Sequence, residues 1–179
     1  MRQYELLLTH SPVTFRDSTV QMCGFAGDHI TKPLESGRFY EEHVLAAILD
    51  RYGTGGVYVY FGAFIGTHTV FFATMCKADL VIAVEPHPVA YGVLQHNIAI
   101  NQLENVELWN CAVGDTIGRV KAVSQGGNMA GSVHSTDSFV GTQALLKSAT
   151  LISAPPKIVK IDVEQYTPAV LRGCIDVCS

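Results

Sequence analysis

Three carboxylates at the ends of apolar runs are the residues of this sequence best placed to do chemistry: Asp162, Glu164 and Glu85. Lys157-Ile158-Val159-Lys160-Ile161-Asp162-Val163-Glu164 reads as a buried strand whose carboxyl end carries two acids. Alternate strand residues point to one face, so Asp162 and Glu164 share it. Two acids in such a place are costly without partners or a ligand, and either can serve as general base toward a hydroxyl. Leu80-Val81-Ile82-Ala83-Val84 is a second buried strand, and it ends directly on Glu85-Pro86. Glu85 follows Gly66 by 19 residues. That is the spacing at which a dinucleotide-type βαβ unit places the acid that receives ribose hydroxyls.

The run Val57-Tyr58-Val59-Tyr60-Phe61 breaks on Gly62-Ala63-Phe64-Ile65-Gly66 and resumes as an apolar helix pattern through Ala73. It reads strand, tight turn, helix. Glycine at 62 and 66 allows a sharp turn and a ligand lying close against the backbone; the plainer reading is a βα turn with two packing glycines. A Gly-x-x-x-Gly loop lacks the three-glycine pattern that admits a pyrophosphate. The loop therefore favours an adenosine ligand without phosphates, such as S-adenosylmethionine, over NAD-dependent oxidoreduction.

These residues need elements to hold them. Residues 1 to about 36 alternate weakly between turn signals and read as a hairpin or irregular cap. Phe39-Tyr40, Val44-Leu45 and Ile48-Leu49 have helical spacing, with Ser36 as N-cap and Gly53 closing the helix. Tyr40-Glu41-Glu42 at its start reads either as a ligand-facing group or as a solvated acid pair favoured by the helix dipole. After the second strand a helix runs from Pro88 to about Leu103, and a third strand covers Val106 to Cys111. Gly118 to Val123 reads as a short extra strand, Gln125 to Thr142 as a mobile loop over the site, and Thr142 to Ser153 as ambiguous between helix and strand. Thr167-Pro168 starts a last helix reaching about Cys178. The pattern βαβαβ followed by one more strand predicts an α/β fold, an open, doubly wound, mostly parallel sheet. In it the last strand lies beside the first, across the switch point where ligands bind. Gly62, Glu85, Asn110, Asp162 and Glu164 then fall on one sheet edge.

The 179 residues predict one compact unit, with a cap over 1–50 and the ligand-binding domain over 51–179. A net charge of −4 with dispersed Lys and Arg gives no electrostatic footprint for nucleic acid. No apolar run reaches membrane-spanning length. Five cysteines without a Cys-x-x-Cys, and an acidic start, make the cytoplasm the default compartment. His68 and His87 lack a Cys, Asp or His at metal-ligand spacing, and Cys174 and Cys178 read as helix packing, so no metal is expected.

The sequence resembles the FkbM family of S-adenosylmethionine-dependent methyltransferases, of class I and Rossmann-like fold. The likeness rests on Gly37-Arg38-Phe39-Tyr40-Glu41, Gly62 to Thr69, Val84-Glu85-Pro86-His87-Pro88, Leu94 to Asn101, Ala112-Val113-Gly114-Asp115, Val159 to Glu164 and Val170-Leu171-Arg172-Gly173. It implies that Gly62, Ala63 and Gly66 line the methionine end of the cofactor, that Glu85 meets the ribose, and that Ala112 and its neighbours meet the adenine, with Pro86 and Asn110 also in the cofactor site. Asp162 and Glu164 would face the reaction centre as the catalytic pair. The implied reaction is O-methylation of a small-molecule or sugar hydroxyl, with no nucleic-acid or membrane partner. This chain departs from the family at Tyr60 (usually Asp), at Phe64 (usually Asn) and after Glu164, where Gln165-Tyr166-Thr167 replaces Gly-Tyr-Glu. The family also continues with strands that complete the sheet. An incomplete C-terminal edge is thus expected, and with it a homodimer, aggregation or a low melting temperature. A non-catalytic methyltransferase-like binding module is the alternative reading.

Overall fold

Val57-Tyr58-Val59-Tyr60-Phe61 is β-branched or aromatic at every position, a composition suited to a strand covered on both faces. It forms β3 (Val57–Phe61), an inner strand of a four-stranded parallel sheet. A computed structural model describes residues 8–125, 128–134, 142–147, 151–152 and 154–175. In chain order the elements before β3 are β1 (Leu8–Phe15), β2 (Ser18–Phe25), α1 (Thr31–Glu35) and α2 (Glu42–Tyr52). After it come α3 (Thr67–Thr74), β4 (Leu80–Val84), α4 (Pro88–Ile100), β5 (Val106–Trp109), β6 (Ala112–Gly114), β7 (Gly118–Gln125), β8 (Asn128–His134), β9 (Thr142–Lys147), β10 (Ile158–Ile161) and α5 (Thr167–Cys174). The parallel sheet has the order β10-β3-β4-β5, with Lys160 opposite Tyr60 and Ala83 opposite Tyr60 on the other side. This is the open doubly wound arrangement that the βαβαβ pattern predicts, with the last strand beside the first.

The strand period of two divides the core. Tyr58, Tyr60, Val81 and Ala83 face one layer, with α3, α4 and the β1–β2 hairpin. Val59, Phe61, Ile82 and Val84 face the other, with Cys111, Val113, Val170 and Cys174. The hairpin expected in the N-terminal stretch is present over the described residues 8–25.

Several sequence expectations shift. The helix expected from Ser36 begins at Glu42 instead, because the chain first makes α1, turns at Gly37 (φ 74°) and enters α2 through Glu41 in the left-handed region (φ 53°). Ser36 ends α1 rather than starting a helix. Where a loop is expected between Gln125 and Thr142, residues 128–134 form β8, antiparallel to β7, in a second sheet of order β6-β9-β7-β8. Gly- and Ser-rich composition suggests a loop, yet cross-strand pairing satisfies the backbone and overrides it. Residues 126–127 and 135–141 of that stretch lie outside the described residues, as do 148–150 and Cys178. Thr142–Lys147 resolves to strand.

Helix α4 is tied to the open edge of β2 by two asparagines one turn apart. Asn97 Oδ1 accepts the Cys23 N–H (2.7 Å), and its Nδ2 donates to the carbonyls of Cys23 (2.9 Å) and Ile65 (2.8 Å). Asn101 repeats the pattern on Gln21, with 2.9 Å from its N–H and 2.7 Å to its carbonyl. Each amide side chain pairs as a neighbouring strand's peptide would. Asn97 is fully buried, so Asn97→Ala strands three backbone groups away from water. We expect a loss of about 2–4 kcal/mol in urea denaturation, at 1–3 kcal/mol for each group left unpaired with partial relaxation; a loss below about 0.5 kcal/mol would refute the clamp.

Candidate functional site

The carboxyl ends of β3, β4 and β10 converge on Glu85. Its Oε2 accepts the Phe64 N–H at 2.8 Å and its Oε1 the His87 N–H at 2.7 Å, so the side chain bridges the turn after β3 to the turn after β4. It is 6% exposed, and burial raises its carboxyl to about 7 against the pull of those two N–H groups. A carboxylate has about four acceptor positions, so two are left for ligand hydroxyls. Asn110 secures the same turn from behind, its Nδ2 donating to the carbonyl of Glu85 at 2.8 Å and of Pro86 at 3.3 Å.

The glycine turn is shaped by protein packing. Gly62 has φ 85°, and its N–H and that of Ala63 both donate to the Val84 carbonyl at 2.9 Å. A Cβ on Gly62 would lie 1.9 Å from the Asp162 carbonyl oxygen. One on Gly66 (φ 87°) would lie 2.5 Å from Leu94 Cδ1. Both glycines therefore serve the close approach of other protein segments, the plainer of the two sequence readings, and Gly62 lines the site in addition.

A cavity of about 150 Å³ opens at these strand ends, walled by Gly62, Ala63, Glu85, Pro86, Asp162 and Glu164, with the rings of His29, Tyr40, Tyr60 and Phe64 beside them. A smaller hollow of about 20 Å³ adjoins it at Gly62, Pro86 and Val163, and is lined by Val84, Cys111, Ala112, Val113 and Tyr166. Of the cofactor and catalytic residues assigned from the sequence, Gly66 and Asn110 line neither cavity. Gly66 instead caps α3, and Asn110 braces the Glu85 turn.

The two acids are not arranged as the strand argument predicts. β10 ends at Ile161; Asp162 and Glu164 lie beyond it, and Glu164 (φ 52°) opens a short 3-10 turn, Glu164–Tyr166. The alternation of a strand therefore does not place them, although both reach the larger cavity. β10 is half-buried throughout and Asp162 is exposed. Its cost of burial is accordingly small, and Lys160 Nζ pairs with it at 2.8 Å.

Behind the cavity wall lies an aromatic stack that the sequence does not announce. His68, 1% exposed, lies between Tyr40 and Tyr60, with ring centroids at 6.2 and 5.6 Å and planes within 19° and 25°. Burial, then the Lys160 charge, lowers its pKa to about 4, so the ring is neutral at pH 7. Nε2 faces the Tyr40 carbonyl at 3.2 Å and the Glu41 carboxylate at 3.5 Å, both acceptors, which assigns the proton to Nε2. Lys160 Nζ stands 3.3 Å from the Tyr60 hydroxyl and 4.7 Å from its ring centroid. The rings of Tyr60 and Phe64 are buried in the core and at the same time form cavity wall. They replace the polar groups expected there by apolar faces. Among the lining residues the formal charges are acidic only.

No protein-family model matches this sequence, and no curated protein does. Among solved structures, the methyltransferase FkbM from Methylobacillus flagellatus KT superposes with a TM-score of 0.51 at 17% identity, over 67% of this chain and 29% of that one. The Thermus thermophilus 16S rRNA N2 G1207 methyltransferase RsmC, in complex with AdoMet and guanosine, gives 0.43 at 19% identity, over 58% of this chain and 27% of that one. The Methanocaldococcus jannaschii tRNA m1G37 methyltransferase gives 0.41 at 21%, over 57% and 29%. The chain thus spans under a third of the length of each of these proteins. Its fold is that of the class I methyltransferases. The fold alone selects no class of acceptor and lends no support to the exclusion of nucleic acid drawn from charge. No helix among the described residues is long and apolar enough to cross a membrane.

Proposed function

We propose that this chain binds S-adenosylmethionine at the joined cavities and transfers its methyl group, with the hydroxyl oxygen of a small molecule or sugar as acceptor. The observation that carries the reading is Glu85: a buried carboxylate in the larger cavity, with its chain neighbours Val84 and Pro86 walling the smaller one. The donor set fits the cofactor in three respects. Apolar Val84, Cys111, Ala112 and Val113 suit the faces of a base. Glu85 retains acceptor positions for ribose hydroxyls. The rings of Tyr40 and Tyr60 with the acids Asp162 and Glu164 suit a positive centre. When bound, the cofactor supplies a methyl group on a positively charged sulfur.

The residues of the chain then have separate tasks. Glu85 fixes the ribose, and the fixed turn around it holds the reactants in orientation, from which much of the rate would come. Asp162 is held by Lys160. Glu164, with no such ion pair among the described residues, is the carboxylate available to take the acceptor's proton. A second reading, a binding module without catalysis, is favoured by one observation: Tyr60 and Phe64 put apolar rings where a zwitterionic ligand needs polar partners.

Calorimetric titration with S-adenosylhomocysteine and S-adenosylmethionine at pH 6 and pH 8 tests the assignment. Ribose hydroxyls donate to the ionised carboxylate, and a group titrating at about 7 is about one-tenth ionised at the lower pH and nine-tenths at the upper. Affinity is expected to rise about tenfold from pH 6 to pH 8, and Glu85→Gln to abolish that rise. Binding that is indifferent to pH would remove Glu85 from the ribose. Absence of binding at millimolar ligand would favour the module.

A further inference from the structure

Apart from the residues that line the candidate cavities, three side chains from three elements meet without any sequence motif to announce them. The β1–β2 register sets His10 directly opposite Cys23, and opposed residues of an antiparallel pair project to the same face. His10 Nε2 lies 3.7 Å from Cys23 Sγ. His96, the α4 residue next to the clamping Asn97, brings its ring to 5.4 Å from that of His10, at 82°. One potential ligand atom from each of His10, Cys23 and His96 lies within 4.8 Å of the other two. Both histidines are exposed, and Cys23 is buried.

We propose that His10, Cys23 and His96 form a binding site for a zinc-type divalent transition-metal ion, with the fourth tetrahedral position open to water. With a Zn–S bond of about 2.3 Å and Zn–N bonds of about 2.05 Å, a tetrahedral ion holds sulfur and nitrogen about 3.6 Å apart. The His10–Cys23 pair already has this spacing. Closing the remaining spacings takes about 1 Å, which the exposed imidazoles can supply by side-chain rotation. A thiolate and two imidazoles select zinc or its neighbours over calcium and magnesium, which prefer oxygen. The support behind the ligands is also in place. Asn97 holds both the N–H and the carbonyl of Cys23, fixing the backbone that carries the sulfur. Ion binding replaces the S–H bond by a metal–sulfur bond and releases that proton to solvent. Because the same Asn97 also grips the Ile65 carbonyl in the glycine turn, the ion would fasten the hairpin, α4 and that turn together. The site is independent of the cofactor proposal.

The test is titration of the full, metal-free chain with Co²⁺, followed by displacement with Zn²⁺. One equivalent should bind with a sulfur-to-cobalt charge-transfer absorption that Zn²⁺ removes. Cys23→Ser should abolish the absorption. His10→Gln and His96→Gln, both at exposed positions where the fold is preserved, should each weaken binding about tenfold or more. Zn²⁺ should raise the melting temperature of the parent chain and leave that of His96→Gln unchanged. Absence of the charge-transfer absorption, or an absorption and affinity unaltered in His96→Gln, would overturn the proposal.

Discussion

Gly62→Ala is expected to destabilise the fold by roughly 2–6 kcal/mol, the sum of a side chain held in the left-handed region and an overpacked contact. The new Cβ would lie 1.9 Å from the carbonyl oxygen of Asp162, a backbone atom that no side-chain rotation can move aside. Gly62 also has φ 85°. Relief requires β10 to slide away from β3 at the point where the Asp162 N–H donates to the Phe61 carbonyl at 2.9 Å. The cavity would deform with it, so ligand binding and stability fall together. Gly92 provides the internal control: it lies within α4, and a Cβ there meets nothing within 4 Å. Gly92→Ala should stabilise the chain by up to about 1 kcal/mol through helix propensity. Urea denaturation of the two variants decides the matter, and equal midpoints would show that the β10–β3 junction does not constrain Gly62.

The second large effect is a pair of opposed pH dependences. Glu85 is raised from 4.5 to about 7 in the folded chain, chiefly by burial. Its contribution to stability is full below about pH 4.5 and is lost as pH rises through 7. His68 is lowered from 6.5 to about 4, again chiefly by burial. Its contribution is full above about pH 6.5 and is lost as pH falls through 4. Each is worth roughly 3 kcal/mol across its window. Between pH 4.5 and 6.5 the two nearly cancel, and these groups leave the parent chain's stability almost flat. Glu85→Gln should then show stability falling on acidification through that window, and His68→Gln stability falling on the way up toward pH 7. Denaturant midpoints at half-unit pH intervals measure both slopes. Variants whose profiles run parallel to the parent's would show that neither group is perturbed by burial.

The sequence by itself determined the parallel sheet, its strand order and the turn at its centre, because each rests on a local pattern. Val57–Phe61 and Leu80–Val84 are apolar at nearly every position, which only a strand covered on both faces accepts, and glycine after the first strand announces a sharp turn. It also determined that Glu85 and Asp162 fall at strand ends on one edge, since a parallel βαβ unit carries every such end to the same side. The β8 strand was less legible, as Asn128–His134 mixes small, polar and apolar residues without strict alternation and gains its conformation from pairing with β7.

Only the tertiary structure decided what the singled-out residues touch. Gly62 meets the Asp162 carbonyl, a segment 100 residues away, so no local reading could separate a ligand-binding glycine from a packing one. Glu164 leaves the strand period because Ile161 is the last residue to pair with β3. His68 looks like any helix histidine until Tyr40 and Tyr60 close on its two faces and exclude the water that would keep it protonatable. His10, Cys23 and His96 share no spacing at all; a hairpin register and an asparagine clamp bring them together. Local pattern fixes where the backbone turns, whereas chemistry depends on distances of a few ångströms between residues far apart in the chain. Those distances exist only once the layers have packed.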